Sequence, residues 1–257
     1  MNHVLLHAGL DPASKLFGFC WLDQDGRPLP PLADTQGILP GFVTFRGTKQ
    51  GKEHRNTRLD QIEDALWDYL RQFPTRYFNE LNRLRLAQLE APLTWEVASF
   101  GIEEPSDNYH KVEGGGDRHD TGYVNGMSAR MAYTVCRGLV REIKRTEGRD
   151  IPIFIVSPSM SSRNLGVGDR AKKWQRCTNV AQLGGGRYVW RDMDVLDAKA
   201  RMKYSGEGWC EGGLLSGANA DALDAGSAAW SARHYFIEAN LVKLAKAQAK
   251  QSKRKKK

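Results

Sequence analysis

Asp221 and Asp224 stand three positions apart in NADALDAGSAAWSARH (219–234), a run otherwise built of small, apolar, helix-forming residues. On a helix, positions i and i+3 share one face, so both carboxylates project into the same small volume. Two anions so placed repel. One resolution is solvent: acids in a first helical turn favour the positive end of the macrodipole, with Asn219 as the N-cap. The other is a divalent cation between the acids, which needs further ligands from elsewhere in the chain.

Three acids qualify by position. Asp11 ends one apolar, β-prone run, HVLLHAGLD, and Glu103 and Glu104 end another, LTWEVASFGIEE. Strand ends at one edge of a sheet are where α/β folds gather their chemistry. Asp11 also suits an ordinary turn. If the two strands are neighbours, Asp11 and Glu103 meet, and the helix carrying Asp221 and Asp224 closes over them. Four carboxylates in one place need cations. Hard oxygen ligands in that number suit Mg²⁺, with Mn²⁺ as a substitute, and two such ions about 3.5–4 Å apart form a phosphodiester-cleaving clamp.

The elements that must position these acids alternate along the chain rather than repeat. HVLLHAGL and LFGFCWLD, separated by Asp11-Pro12-Ala13-Ser14, read as a hairpin, and GFVTFRG follows the Pro28–Pro31 stretch as a third strand. Leu59, Ile62, Leu66, Tyr69 and Leu70 recur at helical spacing from Arg58 to about Phe73, and a second helical pattern runs from Tyr77 to Leu89 beyond Pro74. LTWEVASFGIE reads as a strand, PSDNYHKVEGGGDRHDTG as a Gly-rich loop, and about Asn125 to Lys144 as a helix. A strand IPIFIVS, a basic segment from Arg163 to Arg176 and a long terminal helix complete the chain. Hairpin strands followed by alternating strands and helices predict an α/β domain with a mixed sheet flanked by helices.

Composition narrows the class. A chain of 257 residues with 40% hydrophobic content can bury one large core. No stretch approaches eighteen consecutive apolar residues, and MNHVLLHAGLDP has neither a basic leader nor a small-residue cleavage site, so the reading is a cytoplasmic protein with no membrane partner. Cys20, Cys136, Cys177 and Cys210 are widely spaced with no CxxC, which predicts reduced thiols rather than a zinc ribbon.

The net charge of +8 has one source. From Ala239 onward the chain has no acid and eight bases, and the remaining 30 Lys and Arg balance the 30 Asp and Glu. Residues 243–257 therefore read as a basic, disordered tail whose commonest partner is nucleic acid, although a solubility or targeting arm has the same composition.

The segments HAGLDPASKLFGFCWL, FGIEEP, NLGVGDRAKKWQ and DALDAGSAAWSARH, in that order, resemble the successive motifs of RuvC-type Holliday junction resolvases, within the RNase H-like superfamily, phage-type members included. The resemblance implies an RNase H-like five-stranded sheet in a single domain over 1–242, with a helical insertion at about 47–92. It implies that Asp11, Glu103, Asp221 and Asp224 are the metal ligands, two Mg²⁺ ions the cofactor, and Lys173, in Ala171-Lys172-Lys173-Trp174-Gln175, the basic residue of the glycine loop. One extra residue between Gly168 and Ala171 keeps Lys172 as its alternative. It implies a homodimer that cuts branched DNA, a four-way junction above all, in the cytoplasm of a prokaryotic or phage-infected cell. Backbone contacts fall to Arg163, Arg170, Lys172, Lys173, Arg176 and the tail bases Lys253, Arg254 and Lys255.

The chain departs from the family in places. The family places an aromatic shortly after the strand-four Glu, whereas Ser106 is third after Glu103 and the nearest aromatic is Tyr109. Asp117, His119 and Asp120 have the residue types of a further metal site, but their place in the long Gly-rich loop reads better as a mobile loop on the expected DNA side. His3 and His7 read as packed or surface histidines, 190–197 as acidic surface, and QLGGGR, which lacks the Lys-Ser/Thr of a P-loop, as a turn. Other RNase H-like nucleases, acting on RNA:DNA hybrids or single strands, share the acids, and a non-catalytic nucleic-acid-binding protein would need only the bases.

Overall fold

The structure, a computed structural model, describes residues 2–12, 16–29, 32, 41–46, 55–104, 118–169, 175–176, 179–180 and 217–255. β1 (His3–Asp11) turns back at Pro12 into β2 (Leu16–Leu22), antiparallel, with Asp11 opposite Gly18. β3 (Phe42–Arg46) pairs antiparallel with β2. β4 (Thr94–Glu103) lies parallel to the other side of β1, and β5 (Ile153–Val156) lies parallel to β4. The order β3-β2-β1-β4-β5 is a mixed five-stranded sheet flanked by helices, the α/β architecture read from the strand pattern and the strand number that the RNase H-like resemblance implies.

Side-chain alternation gives the sheet two unlike faces. Leu6, Ala8 and Leu10 of β1, Phe17, Phe19 and Trp21 of β2, and Phe100 and Ile102 of β4 face α1 (Arg55–Ala87) and α2 (Arg118–Glu147) in one large apolar core. Each large apolar side chain fully buried there contributes about 1.5–3 kcal/mol. The opposite face is small. It carries Gly9, Gly18 and Gly101, and against it lies the long terminal helix α4 (Gly217–Lys255), which follows the short α3 (Pro158–Asn164).

The glycines bring α4 into backbone contact with the sheet. A Cβ at Gly9 would sit 1.9 Å from the Ala225 carbonyl oxygen, one at Gly18 2.1 Å from that of Asp221, and one at Gly101 2.2 Å from that of Ala228. Ala225, Ala228, Ala229 and Ala232 are fully buried in this seam. The small residues around the two acids are thus the packing surface of the helix.

The structure corrects several expectations. The two helical patterns around Pro74 form one helix, α1, because Tyr69, Phe73 and Tyr77 stack across the proline at ring centroid distances of 4.7 and 5.7 Å, offsetting the backbone hydrogen bond it removes. α2 begins at Arg118, so His119 and Asp120 lie in a helix rather than a loop, while Asp117 lies outside the described residues. Asn219 falls inside the first turn of α4 instead of capping it. The tail expected to be disordered continues α4 to Lys255, since Ala, Lys, Gln and Arg are strong helix formers. Cys20 and Cys136 are buried free thiols, both held protonated by burial. His3 is exposed and His7 is buried. No described helix is long and apolar enough to cross a membrane.

Candidate metal centre

β1 and β4 end side by side. The pairing of Gly9 with Gly101 and of Leu10 with Ile102, continued by one residue, sets Asp11 beside Glu103. Both acids lie two residues beyond a glycine that touches α4, so alternation points them to the α4 side of the sheet. Over them α4 brings Asp224, which is 2% exposed, one residue before the Ala225 carbonyl packed on Gly9. One carboxylate oxygen from each of Asp11, Glu103 and Asp224 lies within 4.8 Å of the others.

The choice between Glu103 and Glu104 is made by a strand irregularity. Leu6 pairs with Val97 but His7 pairs with Ser99, so Ala98 is an extra residue in β4. Trp95 and Val97 pack into the large core ahead of it, and Phe100 and Ile102 after it. The extra residue exchanges the faces and leaves Glu103, buried, on the side of α4. Glu104 is exposed, and its amide donates to the Val156 carbonyl at 2.8 Å.

Asp221, a turn earlier in α4, is half-buried over Gly18 and lies outside the three-carboxylate set. Arg176, expected on the DNA-facing surface, is instead 6% exposed and turned into the acids. Its Nε and Nη2 each donate to a carboxylate oxygen of Asp224 at 2.9 Å, and Nη2 donates to Glu103 Oε1 at 3.4 Å. The planar guanidinium fork matches a carboxylate in this way, and a buried charge requires such a partner. Nothing in RCTNV distinguishes Arg176 from the neighbouring bases, so its inward direction has no local sequence signal. Ser227 Oγ donates to the Asp224 carbonyl at 2.7 Å, within the same turn of helix.

Arg163 is exposed at the end of α3 and paired with Asp169, Nε to Oδ1 at 3.0 Å; the pair holds the Asp169 carboxyl below its usual range. Arg170, Lys172 and Lys173 lie outside the described residues, as do Ser106, Tyr109, 182–187 and 190–197. Lys253, Arg254 and Lys255 are in the last turns of α4. α3 is tied to the site helix by the Trp230 indole, which donates to the Asn164 carbonyl at 2.9 Å.

The donor set fits a hard divalent cation. Three carboxylates supply only oxygen ligands, gathered at one mouth of the fold on elements rigidly packed by the glycine seam. The fold and this cluster define an α/β domain with a mixed five-stranded sheet and an acidic centre able to hold such an ion.

No protein-family model matches the sequence, and no curated protein matches it. Its structural neighbours include Holliday junction resolvases. The Thermus thermophilus RuvC structure is 13% identical with a TM-score of 0.43, covering 91% of this chain and 95% of that one. T. thermophilus RuvC in complex with Holliday junction substrate is 14% identical with a TM-score of 0.44, covering 91% and 94%. The yeast mitochondrial Holliday junction resolvase Ydc2 is 14% identical with a TM-score of 0.39, covering 94% and 85%. At this identity the chemistry rests on the site's own residues.

Proposed function

We propose that the chain is a metal-dependent endodeoxyribonuclease that resolves four-way junctions or other branched DNA by paired phosphodiester hydrolysis. The observation that carries this reading is the convergence of Asp11, Glu103 and Asp224 at the ends of β1 and β4 beneath α4. A bound Mg²⁺ or Mn²⁺ supplies Lewis-acid stabilisation and activates water.

The residues divide the remaining work. Asp11, Glu103 and Asp224 hold the cation, and Asp221 adds negative charge from the preceding turn. Arg176 fixes the Asp224 carboxylate through its two donors. Lys173, or Lys172 if the loop register shifts, supports charge on the attacked phosphate. Arg163, Arg170 and the bases of α4 contact the DNA backbone, where shape and charge rather than base identity decide binding. The products are 5′-phosphate and 3′-hydroxyl ends. Junction preference and a homodimeric assembly that nicks two strands symmetrically follow from the sequence resemblance.

The test is to incubate the full chain with four-way junctions, linear duplex and RNA:DNA hybrid, with and without Mg²⁺. Paired symmetric nicks on junctions, dependent on Mg²⁺, are expected. Cleavage of hybrid or single strands in preference would assign it to another RNase H-like activity, and no cleavage of any substrate would leave a binding protein.

A further inference from the structure

Residues 175–176 and 179–180 are helical, and the Asn179 side-chain amide donates to the Gln175 carbonyl at 3.1 Å. Arg176 and Val180, four positions apart, share one face there. Both reach α4. Arg176 meets Asp224, and the fully buried Val180 meets Gly226, where an added Cβ would sit 2.5 Å from Val180 Cγ1, 3.3 Å from the Phe42 ring and 3.6 Å from Cys20 Sγ. Asp224 and Gly226, two residues apart, point about 200° from each other around the helix, so the two contacts fall on opposite sides of it.

We propose that Val180 is a positioning residue for the acidic centre: seated in the notch at Gly226, it holds the Arg176 guanidinium where it orients the Asp224 carboxylate for the cation. The inference rests on the reading of Asp11, Glu103 and Asp224 as metal ligands.

The two contacts make unequal demands on the chain. Nε and Nη2 both lie 2.9 Å from Asp224 oxygens, a planar fork that requires the right distance and the right tilt together. Arginine is long and rich in rotamers, so its head keeps that plane only where the backbone behind it is fixed. Val180 supplies the fixing. A β-branched side chain is stiff at χ1, and a close-packed contact passes a displacement on instead of absorbing it. Only glycine at 226 leaves room for it. Ala225, on one side of the helix between the two contacts, packs on Gly9, and Leu223, on the other side between them, is 1% exposed, so α4 is held all round at this level. Val180 has no polar side-chain atom, so what it contributes to metal binding passes through packing.

Mn²⁺ titration of the metal-free full chain by calorimetry, on wild type, Arg176→Lys, Val180→Ala and the double variant, tests the coupling without cleavage. Arg176→Lys keeps the positive charge and loses the planar fork, so its effect reports orientation rather than charge. It should weaken Mn²⁺ binding about tenfold or more, as loss of a group that orients a ligating carboxylate does, and Val180→Ala should weaken it about threefold or more. The double variant should bind no more weakly than Arg176→Lys, because Val180 acts through the fork. If Val180→Ala does not fold, Val180→Cys, a smaller truncation, takes its place in the cycle. Losses that multiply in the double variant, or wild-type affinity in folded Val180→Ala or Arg176→Lys, would overturn the inference and leave the metal reading standing. No Mn²⁺ uptake by the wild type would overturn both.

Discussion

His7 Nδ1 lies 2.7 Å from the Ser99 hydroxyl, both side chains buried, where β4 carries one residue more than β1. Burial, with the nearby Arg233 charge second, lowers the His7 pKa to about 3. The native imidazole therefore stays neutral while the unfolded one takes up a proton below its ordinary value of 6.5. Between those values the unfolded state binds more protons, so stability falls as pH falls, by at most about 1.4 kcal/mol per pH unit. From pH 6.5 to 5 the wild type should lose roughly 2 kcal/mol through this group. His7→Asn should be less stable than wild type at pH 7 and lose less on acidification. Urea melts of both at pH 7, 6 and 5 check this, and parallel losses would refute it.

The acids were legible in the sequence because each ends an apolar run or opens a small-residue helix; that Gly9 and Gly101, two residues before Asp11 and Glu103, mark their common face is a finding of the structure. The parity of β4 was not. Alternation from Trp95 and Val97 would turn Glu103 toward the large core, and only the pairing with β1 reveals the extra Ala98. Arg176 was read as a surface base because composition shows how many bases a segment holds but not which one meets a buried carboxylate. The helix through Pro74 escaped for a related reason: proline's local penalty is visible in sequence, while the aromatic stack that outweighs it is tertiary.

The glycine seam predicts a coupling between packing and metal affinity. In Gly101→Ala the added methyl carbon would sit 2.2 Å from the Ala228 carbonyl, on backbone that cannot rotate away. α4 must shift, at a cost of about 1–3 kcal/mol or more. The shift also moves Asp224 from Glu103, so Mn²⁺ affinity should fall although no ligand has changed. Gly126, with nothing within 4 Å of an added Cβ, provides the control, and Gly126→Ala should leave both quantities near wild type. Unchanged Mn²⁺ affinity in a folded Gly101→Ala chain would contradict the coupling.

Asp11→Asn and Asp224→Asn should both abolish cleavage, yet differ in stability without metal. Removing the Asp11 charge relieves repulsion among three clustered acids, so that variant should lose less stability than Asp224→Asn. Removing the Asp224 charge strips Arg176 of its bidentate partner and leaves a buried guanidinium poorly paired, a loss of about 3–5 kcal/mol for a broken buried pair. Chemical denaturation in chelator measures the difference. Equal destabilisation would mean that Arg176 does not depend on Asp224, and near wild-type cleavage by either variant would remove it from the site.

The end of α4 predicts a salt-dependent DNA arm. Residues 241–249 are exposed, Leu241, Val242 and Leu244 among them, so this part of the helix leaves the sheet. Lys243 and Lys246, three apart, share one side of the helix, and the sequence continues the three-and-four spacing with lysines at 250 and 253. Each phosphate such a row neutralises releases counterions and adds roughly 0.9 to the slope of log affinity against log salt on duplex arms. Truncation after Ala247 removes six of the eight terminal bases. It should weaken binding to junction and linear duplex by similar factors at low salt and flatten the salt dependence. Cleavage at saturating protein should persist, because Asp11, Glu103 and Asp224 all lie outside the removed segment. Fluorescence anisotropy of full-length and truncated chains at three salt concentrations measures the slopes, and superimposable salt plots would show that the helix end makes no phosphate contacts.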